Sequence, residues 1–361
     1  MQNTTIKSEA SSLPAFSEGL ASLRGLAAAM VVVFHALLVF RVNDHNDVFK
    51  LPLNMDAGWL IVQHILISIF NGTAAVVLFF VLSGTVLTLS LARAGDLRRQ
   101  EIVAFYIRRA FRLLPLLGAV TLASTLAYYL YFEEVEFVEA TSWMNGYYKS
   151  DPGLKEILLN AAGWSHSLNP PAWSIRIEIA ASVAFPALYW MSTRTLPVVT
   201  TGALVLLVVM LVPGLSAGHL DTFLFAFYLG SLIPRWSGAP TQVFLRLRAP
   251  ARVVITCMVL VVMAGAERLY TPTNLYDSRT VLIVTLCAAF LVAVAYHNPR
   301  AGVLRRPVLV FLGEISYGLY LIHMLVLFML AHAITPLIAS PVPGEALALN
   351  IGLGGDSARF W

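Results

Sequence analysis

Charge is scarce in this chain. Only 12% of its 361 residues are Asp, Glu, Lys or Arg, about half the share of a soluble domain. The length alone would permit two soluble domains, but uncharged runs of about 18 residues recur along the chain, long enough to be read as membrane helices. Cysteine is nearly absent. Cys257 and Cys287 both fall in apolar runs, so they are read as small buried residues and not as a disulfide framework. The polar start, MQNTTIKSEASSLPAFSEGLAS, lacks the basic cluster and short apolar core of a cleaved signal. Eight histidines are scattered without ligand spacing, so no metal site is expected. There is no internal repeat, and no loop has room for a soluble domain.

What is present is apolar length. With 58% hydrophobic residues and a mean hydropathy of +0.76, the chain reads as an all-α, polytopic membrane bundle of about nine to ten transmembrane helices. Nine spans are predicted, at 22–42, 71–92, 103–131, 171–191, 196–213, 218–234, 252–270, 279–297 and 308–330. The apolar stretch 59–70 is short, and is either interfacial or an extension of the second span. Beyond His332 come Pro336, Pro341 and Pro343, and then ten apolar residues, 346–355. These reach only about 15 Å as a helix, so a tenth span looks incomplete and the C-terminus is expected on the non-cytoplasmic side.

Orientation follows from Lys and Arg in the loops. A cytoplasmic N-terminus puts sixteen of them inside and seven outside. The net charge of +4 is therefore a topology signal and implies no nucleic-acid partner. The longest outer loop, 132–170, gathers Glu133, Glu134, Glu136 and Glu139, then Trp143, Tyr147, Tyr148, Trp164 and His166. Such a mixture suits sugar binding, and equally an interfacial loop with aromatic anchors.

Polar groups inside spans cost a few kcal/mol each, which makes them functional candidates. Arg24 and His35 are eleven residues apart, hence on one helix face and about 16 Å apart along it. Arg109 and Arg112 are neighbours at the start of the third span, with Arg108 beside them. Guanidiniums there make an anion site, or a positive-inside anchor. Ser174, Glu178 and Ser182 form one stripe, and the buried Glu178 needs a partner or a proton; His35 is the expected partner. Ser316, Tyr320 and His323 share another face, flanked by Tyr317. Ser83-Gly84 marks a close approach between helices.

Five motifs stand in a fixed order: Arg24 with His35 after ten intervening residues, FFVLSG from Phe79 to Gly84, Arg109-x-x-Arg112, WSIRIE from Trp173 to Glu178, and GEISYGLYLIH from Gly313 to His323. Over residues 20–330 the chain resembles acyltransferase family 3, bacterial integral membrane O-acyltransferases that modify lipopolysaccharide, exopolysaccharide, peptidoglycan or small glycosides. The resemblance divides the chain into a cytoplasmic tail (1–21), a membrane acyltransferase domain (22–330) and an atypical C-terminal segment (331–361) where the family's last span is cut short. It implies a protein of the bacterial inner membrane. The expected reaction moves an acyl group, acetyl foremost, from cytoplasmic acyl-CoA to a carbohydrate hydroxyl. His35 would be the general base and Glu178 its orienting carboxylate. Arg24, Arg108, Arg109 and Arg112 would hold CoA phosphates. Ser174, Trp173, Tyr317 and Tyr320 are the candidates for substrate or oxyanion contacts. Membrane lipid and the glycan acceptor are the expected partners. Two other classes compete. A transporter could use the same His and Glu as a proton or anion relay, although the inverted repeat of many transporters is missing. A non-catalytic scaffold would tolerate loss of His35.

Overall fold

The structure, a computed structural model, describes residues 14–40, 58–95, 97–131, 140–146, 152–212, 220–266, 277–298 and 302–338. Among these residues it is helical throughout, with a single isolated bridge between Phe40 and Ala140. The helices are α1 (Pro14–Ala36), α2 (Gly58–Ile69), α3 (Gly72–Ala94), α4 (Arg99–Tyr131), α5 (Ser142–Asn145), α6 (Leu154–Ala161), α7 (Trp173–Ser192), α8 (Leu196–Leu211), α9 (Leu220–Trp236), α10 (Gly238–Arg246), α11 (Ala249–Gly265), α12 (Ser278–His297) and α13 (Pro307–Ile338).

Each of the nine expected spans holds a helix, but among the described residues five stretches are long and apolar enough to cross a bilayer: Glu18–Ala36, Ile61–Ala94, Arg99–Leu130, Ser278–His297 and Pro307–Ile334. The difference has two physical sources. Helices α8, α9 and α11 have 16 or 17 residues, about 24–26 Å at helical rise, against a hydrocarbon core of about 30 Å. Helix α7 has 20 residues but carries Arg176, Glu178 and the serine stripe. The expected ends of spans at 42, 213, 218 and 270 lie outside the described residues, as does the chain beyond Ile338, including the proposed incomplete span at 346–355. The stretch 59–70 extends the second span: α2 and α3 meet at Asn71, whose side chain caps Ala74 N at 2.8 Å while Phe70 N still donates to Leu66 O.

Helix α3 is the hub. Fifteen of its residues are buried, and it packs against α1, α7, α9 and α12. Its approach to α9 is closest at Gly84 and Gly230. A Cβ at Gly84 would collide with the Phe227 carbonyl, and one at Gly230 with that of Val81. Thr85 Oγ1 then reaches Gly230 O at 3.0 Å across the seam. Lipid offers no hydrophobic drive between helices, so small residues that let backbones touch are how such pairs associate.

Helices α1 and α13 form the other tight seam, with Gly25 against Gly313 and Gly313 against Ala21. The two run parallel, since both are met in increasing order: Arg24 beside Gly313, then His35 beside His323. Parallel helices enter a membrane from the same side, so the chain between them crosses an odd number of times. Five spans and nine both satisfy this, and 59–70 as a separate crossing would not.

The α3–α9 seam predicts that Gly84→Leu is not accommodated, because the obstructing atoms are backbone. Overpacking of this kind costs about 1–3 kcal/mol or more. The variant should show a lower unfolding temperature and an aggregated size-exclusion profile in mild detergent, whereas Gly118→Ala, in open space, should behave as wild type.

Candidate functional site

Three polar layers lie along the core of the bundle. The first is an ion pair. Arg109 on α4 is 7% exposed. Its Nη2 donates to Glu178 Oε1 at 2.6 Å and its Nε to Ser182 Oγ at 3.1 Å. Ser83 Oγ on α3 adds a third contact to the same carboxylate oxygen at 3.2 Å. Glu178 and Ser182 of the α7 stripe and Ser83 of α3 thus converge on one ion pair. The expected pairing of Glu178 with His35 is corrected by this: Glu178 is bound to Arg109, and His35 to His323. The physical reason is charge. A buried carboxylate is best matched by a guanidinium, which is always ionised and offers a fork of donors, whereas an imidazole would have to gain a proton in a poor dielectric.

The second layer is neutral. Tyr320 OH and Ser174 Oγ are 2.8 Å apart, and both reach Pro171 O, at 3.0 and 3.1 Å. Tyr317 OH donates to Leu113 O at 2.7 Å. Trp173 is buried against Phe223 in the main core.

The third layer is a histidine pair. His35 Nδ1 and His323 Nε2 are 2.7 Å apart, and His323 Nδ1 lies 2.6 Å from Tyr320 O. The two rings are within 7° of coplanar with centroids 5.0 Å apart. The N–N distance plus the two ring radii accounts for that separation, so the rings lie edge to edge. Trp143 covers the face of His35 at 5.3 Å and 18°. His35 sits in the last turn of α1, not at mid-span as a helix running to residue 42 would place it. Helix α1 ends at Ala36, and the first carbonyls beyond it take side-chain donors in place of a further turn: Gln63 Nε2 reaches Leu37 O, and Thr141 Oγ1 reaches Leu38 O, both at 2.7 Å. That end still lies within the bundle, since α13 continues past His323 to Ile338.

A cavity of about 420 Å³ runs along the first two layers. Arg24, Arg93, Arg109 and Arg112 line it together with Glu178, and Ser174, Tyr317 and Tyr320 complete the lining. His35 does not line it; the Ser174–Tyr320 pair lies between. The arginines divide by what they already hold. Arg24 gives Nε to Ser316 Oγ at 2.9 Å and Nη2 to Gly313 O at 2.8 Å, which docks α1 on α13. Arg109 is committed to Glu178. Arg112 is exposed at the cavity wall, and Arg108 is exposed but not part of that wall. Arg93, counted from sequence only as a topology charge, joins Arg112 there. Its signal was its place: it stands at the end of the helix that carries FFVLSG.

Of the outer loop, the four glutamates and both tyrosines lie outside the described residues. Trp143 has gone to His35. Trp164 is 70% exposed. Beside it, Glu156 accepts hydrogen bonds from Ser165, Ser167 and Asn160; these hydroxyl donors hold its carboxyl below the usual range.

A family model described as an acyltransferase domain matches residues 18–353. Nodulation protein 10 of Rhizobium leguminosarum bv. viciae is 24% identical over 339 residues, covering 84% of this chain and 81% of its own. No solved structure matches.

The ion pair carries its own test. Arg109→Ala or Glu178→Ala strands a buried charge, a loss of up to roughly 3–5 kcal/mol, lessened here because Glu178 is 18% exposed. The double variant should recover much of that, since neither charge is then left alone. Thermal unfolding in detergent reads the cycle. A loss in the double variant equal to the sum of the two single losses would mean that the contact contributes nothing by itself.

Proposed function

The chain belongs to the acyltransferase family, and we propose that it transfers an acyl group, acetyl foremost, from acyl-CoA at the cytoplasmic side to a hydroxyl of a carbohydrate, with His35 as general base. It is a membrane O-acyltransferase; the donor, the acceptor, the base and the orientation in a bacterial inner membrane are the proposal. One observation carries it: a cavity lined by arginines and neutral hydroxyls lies next to a buried histidine pair.

The anionic part of CoA is met by Arg93 and Arg112, the two exposed guanidiniums at the cavity wall, which suit phosphate through bidentate contacts. Arg24 and Arg109 add positive field without being released from their partners, and Arg108 contributes only at the surface. The thioester arm occupies the neutral layer. The volume fits an extended arm and a short acyl chain, with the nucleotide left at the mouth. For the thioester to meet the base, the Ser174–Tyr320 contact must open, and the hydroxyls freed by that opening are the oxyanion donors of this reading.

The chemistry then balances. The acceptor hydroxyl attacks the thioester carbonyl while its proton passes to Nε2 of His35, a nitrogen with no hydrogen bond among the described residues. The C–S bond breaks as the ester forms, and the imidazolium returns the proton to the departing thiolate. General base catalysis of this kind contributes roughly 10²–10⁴-fold. The imidazolium forms at the C-terminal end of α1, where the helix dipole favours positive charge by about 0.3–1 kcal/mol.

Two measurements test this. His35→Ala should insert and accumulate yet lose transfer by about 10²-fold or more; wild-type turnover by that variant would remove His35 as the base. Arg93→Ala and Arg112→Ala should each raise the acyl-CoA KM about tenfold, and Lys should restore only part of it, because an ammonium lacks the fork. Mass spectrometry of surface glycans with and without the protein identifies the acceptor and the acyl chain together.

A further inference from the structure

We propose that His323 is the positioning residue for the reaction, fixing the tautomer and plane of His35 in the role that a carboxylate fills in a catalytic triad. The inference rests on the reading of His35 as the base. It begins from a fixed point, the carbonyl of Tyr320. A carbonyl only accepts, so His323 Nδ1, 2.6 Å away, must carry a hydrogen. A neutral His323 then has a bare Nε2. His35 Nδ1, 2.7 Å from that nitrogen, can approach so closely only as its donor. The proton of His35 is thereby placed on Nδ1, and Nε2 is left with the lone pair. A ring nitrogen's lone pair lies in the plane of its ring, so an N–H···N bond between imidazoles needs coplanar rings. The 7° between these rings meets that condition, and Trp143 over the open face of His35 opposes rotation away from it.

The consequence concerns the charged intermediate. When Nε2 of His35 takes the acceptor's proton, the Nδ1 proton becomes strongly acidic and its bond to His323 Nε2 tightens. His323 in turn leans on the Tyr320 carbonyl. The positive charge is spread along a chain of imidazole, imidazole and peptide dipole, with no buried carboxylate. Glu178 is taken by Arg109, so His323 is the group of known contact that can orient this base. The link has a second consequence. Tyr320 contributes its carbonyl to His323 and its hydroxyl to Ser174, so the residue closing the cavity also anchors the base.

Replacements for His323 separate positioning from packing. Gln can set an oxygen close to where Nε2 stood, able to accept from His35 Nδ1. Asn reaches only as far as Nδ1, and Ala supplies nothing. The expected order of kcat is wild type, then His323→Gln within about tenfold, then Asn and Ala lower by on the order of 10²-fold. The acyl-CoA KM should stay unchanged throughout. A merely structural histidine would instead lower yield in all three without this order. Nitrogen-15 NMR of the full chain, labelled at histidine and assigned through His35→Ala, reads the tautomer directly. His35 should carry its proton on Nδ1 in the wild type and in His323→Gln, and show a tautomer mixture in His323→Ala. Wild-type kcat in His323→Ala, or a His35 protonated on Nε2 in the wild type, overturns the proposal. If His323→Ala does not accumulate, the Gln and Asn pair and the wild-type spectrum still decide. The two readings fail separately: full activity in His35→Ala removes the base, while an Nδ1 proton that His323→Ala disperses would show that the pairing stands without it.

Discussion

The seam between α1 and α13 is the constraint on which the rest depends. It joins two ends of the chain at a nearly constant offset: Gly25 against Gly313, Arg24 on Gly313 O and His35 on His323 are separated by 288, 289 and 288 positions. Two helices in parallel register over that length are locked against sliding, because a slip of one residue would rotate every side chain by about 100°. The glycines bring the backbones together and the hydrogen bonds set the register. Without the seam, His35 would have no partner ring, and Arg24 would be a cation exposed to lipid. The cavity depends on it as well, since its wall is drawn from α1 and α13 on one side and from α3, α4 and α7 on the other.

The sequence made some of this readable and hid the rest for definable reasons. Face-sharing on a single helix follows from spacing alone, which is why Arg24 with His35, the α7 stripe and the α13 stripe were all legible. The Ser83-Gly84 step was legible too, because small residues in an apolar run have few other uses. Partners across helices were not. Glu178 had His35 and several arginines as possible counterparts, and only the packing of α4 against α7 brings Arg109 to it. His323 stood on a recognised stripe, yet its pairing needed the long-range register of α1 on α13. The end of α1 at Ala36 was masked by apolar residues continuing to Phe40, since hydropathy does not register that Gln63 and Thr141 will take the carbonyls. Arg93 was hidden by its commonplace position, as an arginine at a membrane edge is expected whatever the function.

The three polar layers also differ in how they tolerate burial, and the difference grades the site electrostatically. Arg109 and Glu178 are permanent charges, kept in the core by pairing and by two serines. The hydroxyl layer is neutral, and its members satisfy one another and a carbonyl. The histidine layer is neutral at rest, yet it is the layer that can gain a charge, because each imidazole has a partner that becomes stronger when the ring is protonated. Positive charge is thus fixed at the arginines and transient at the histidines. For the proposed donor, this order separates two demands that conflict within one medium. Phosphates need standing cations, whereas a base must be free of them, since a guanidinium beside an imidazole would oppose its protonation. The Ser174–Tyr320 layer keeps the arginines and the histidines apart. It also ties both to one helix, because Ser316, Tyr317, Tyr320 and His323 all stand on α13. A shift of that helix would move the anchor of Arg24, part of the cavity wall and the support of His35 together, so the cavity and the proposed base are coupled through a single rigid element.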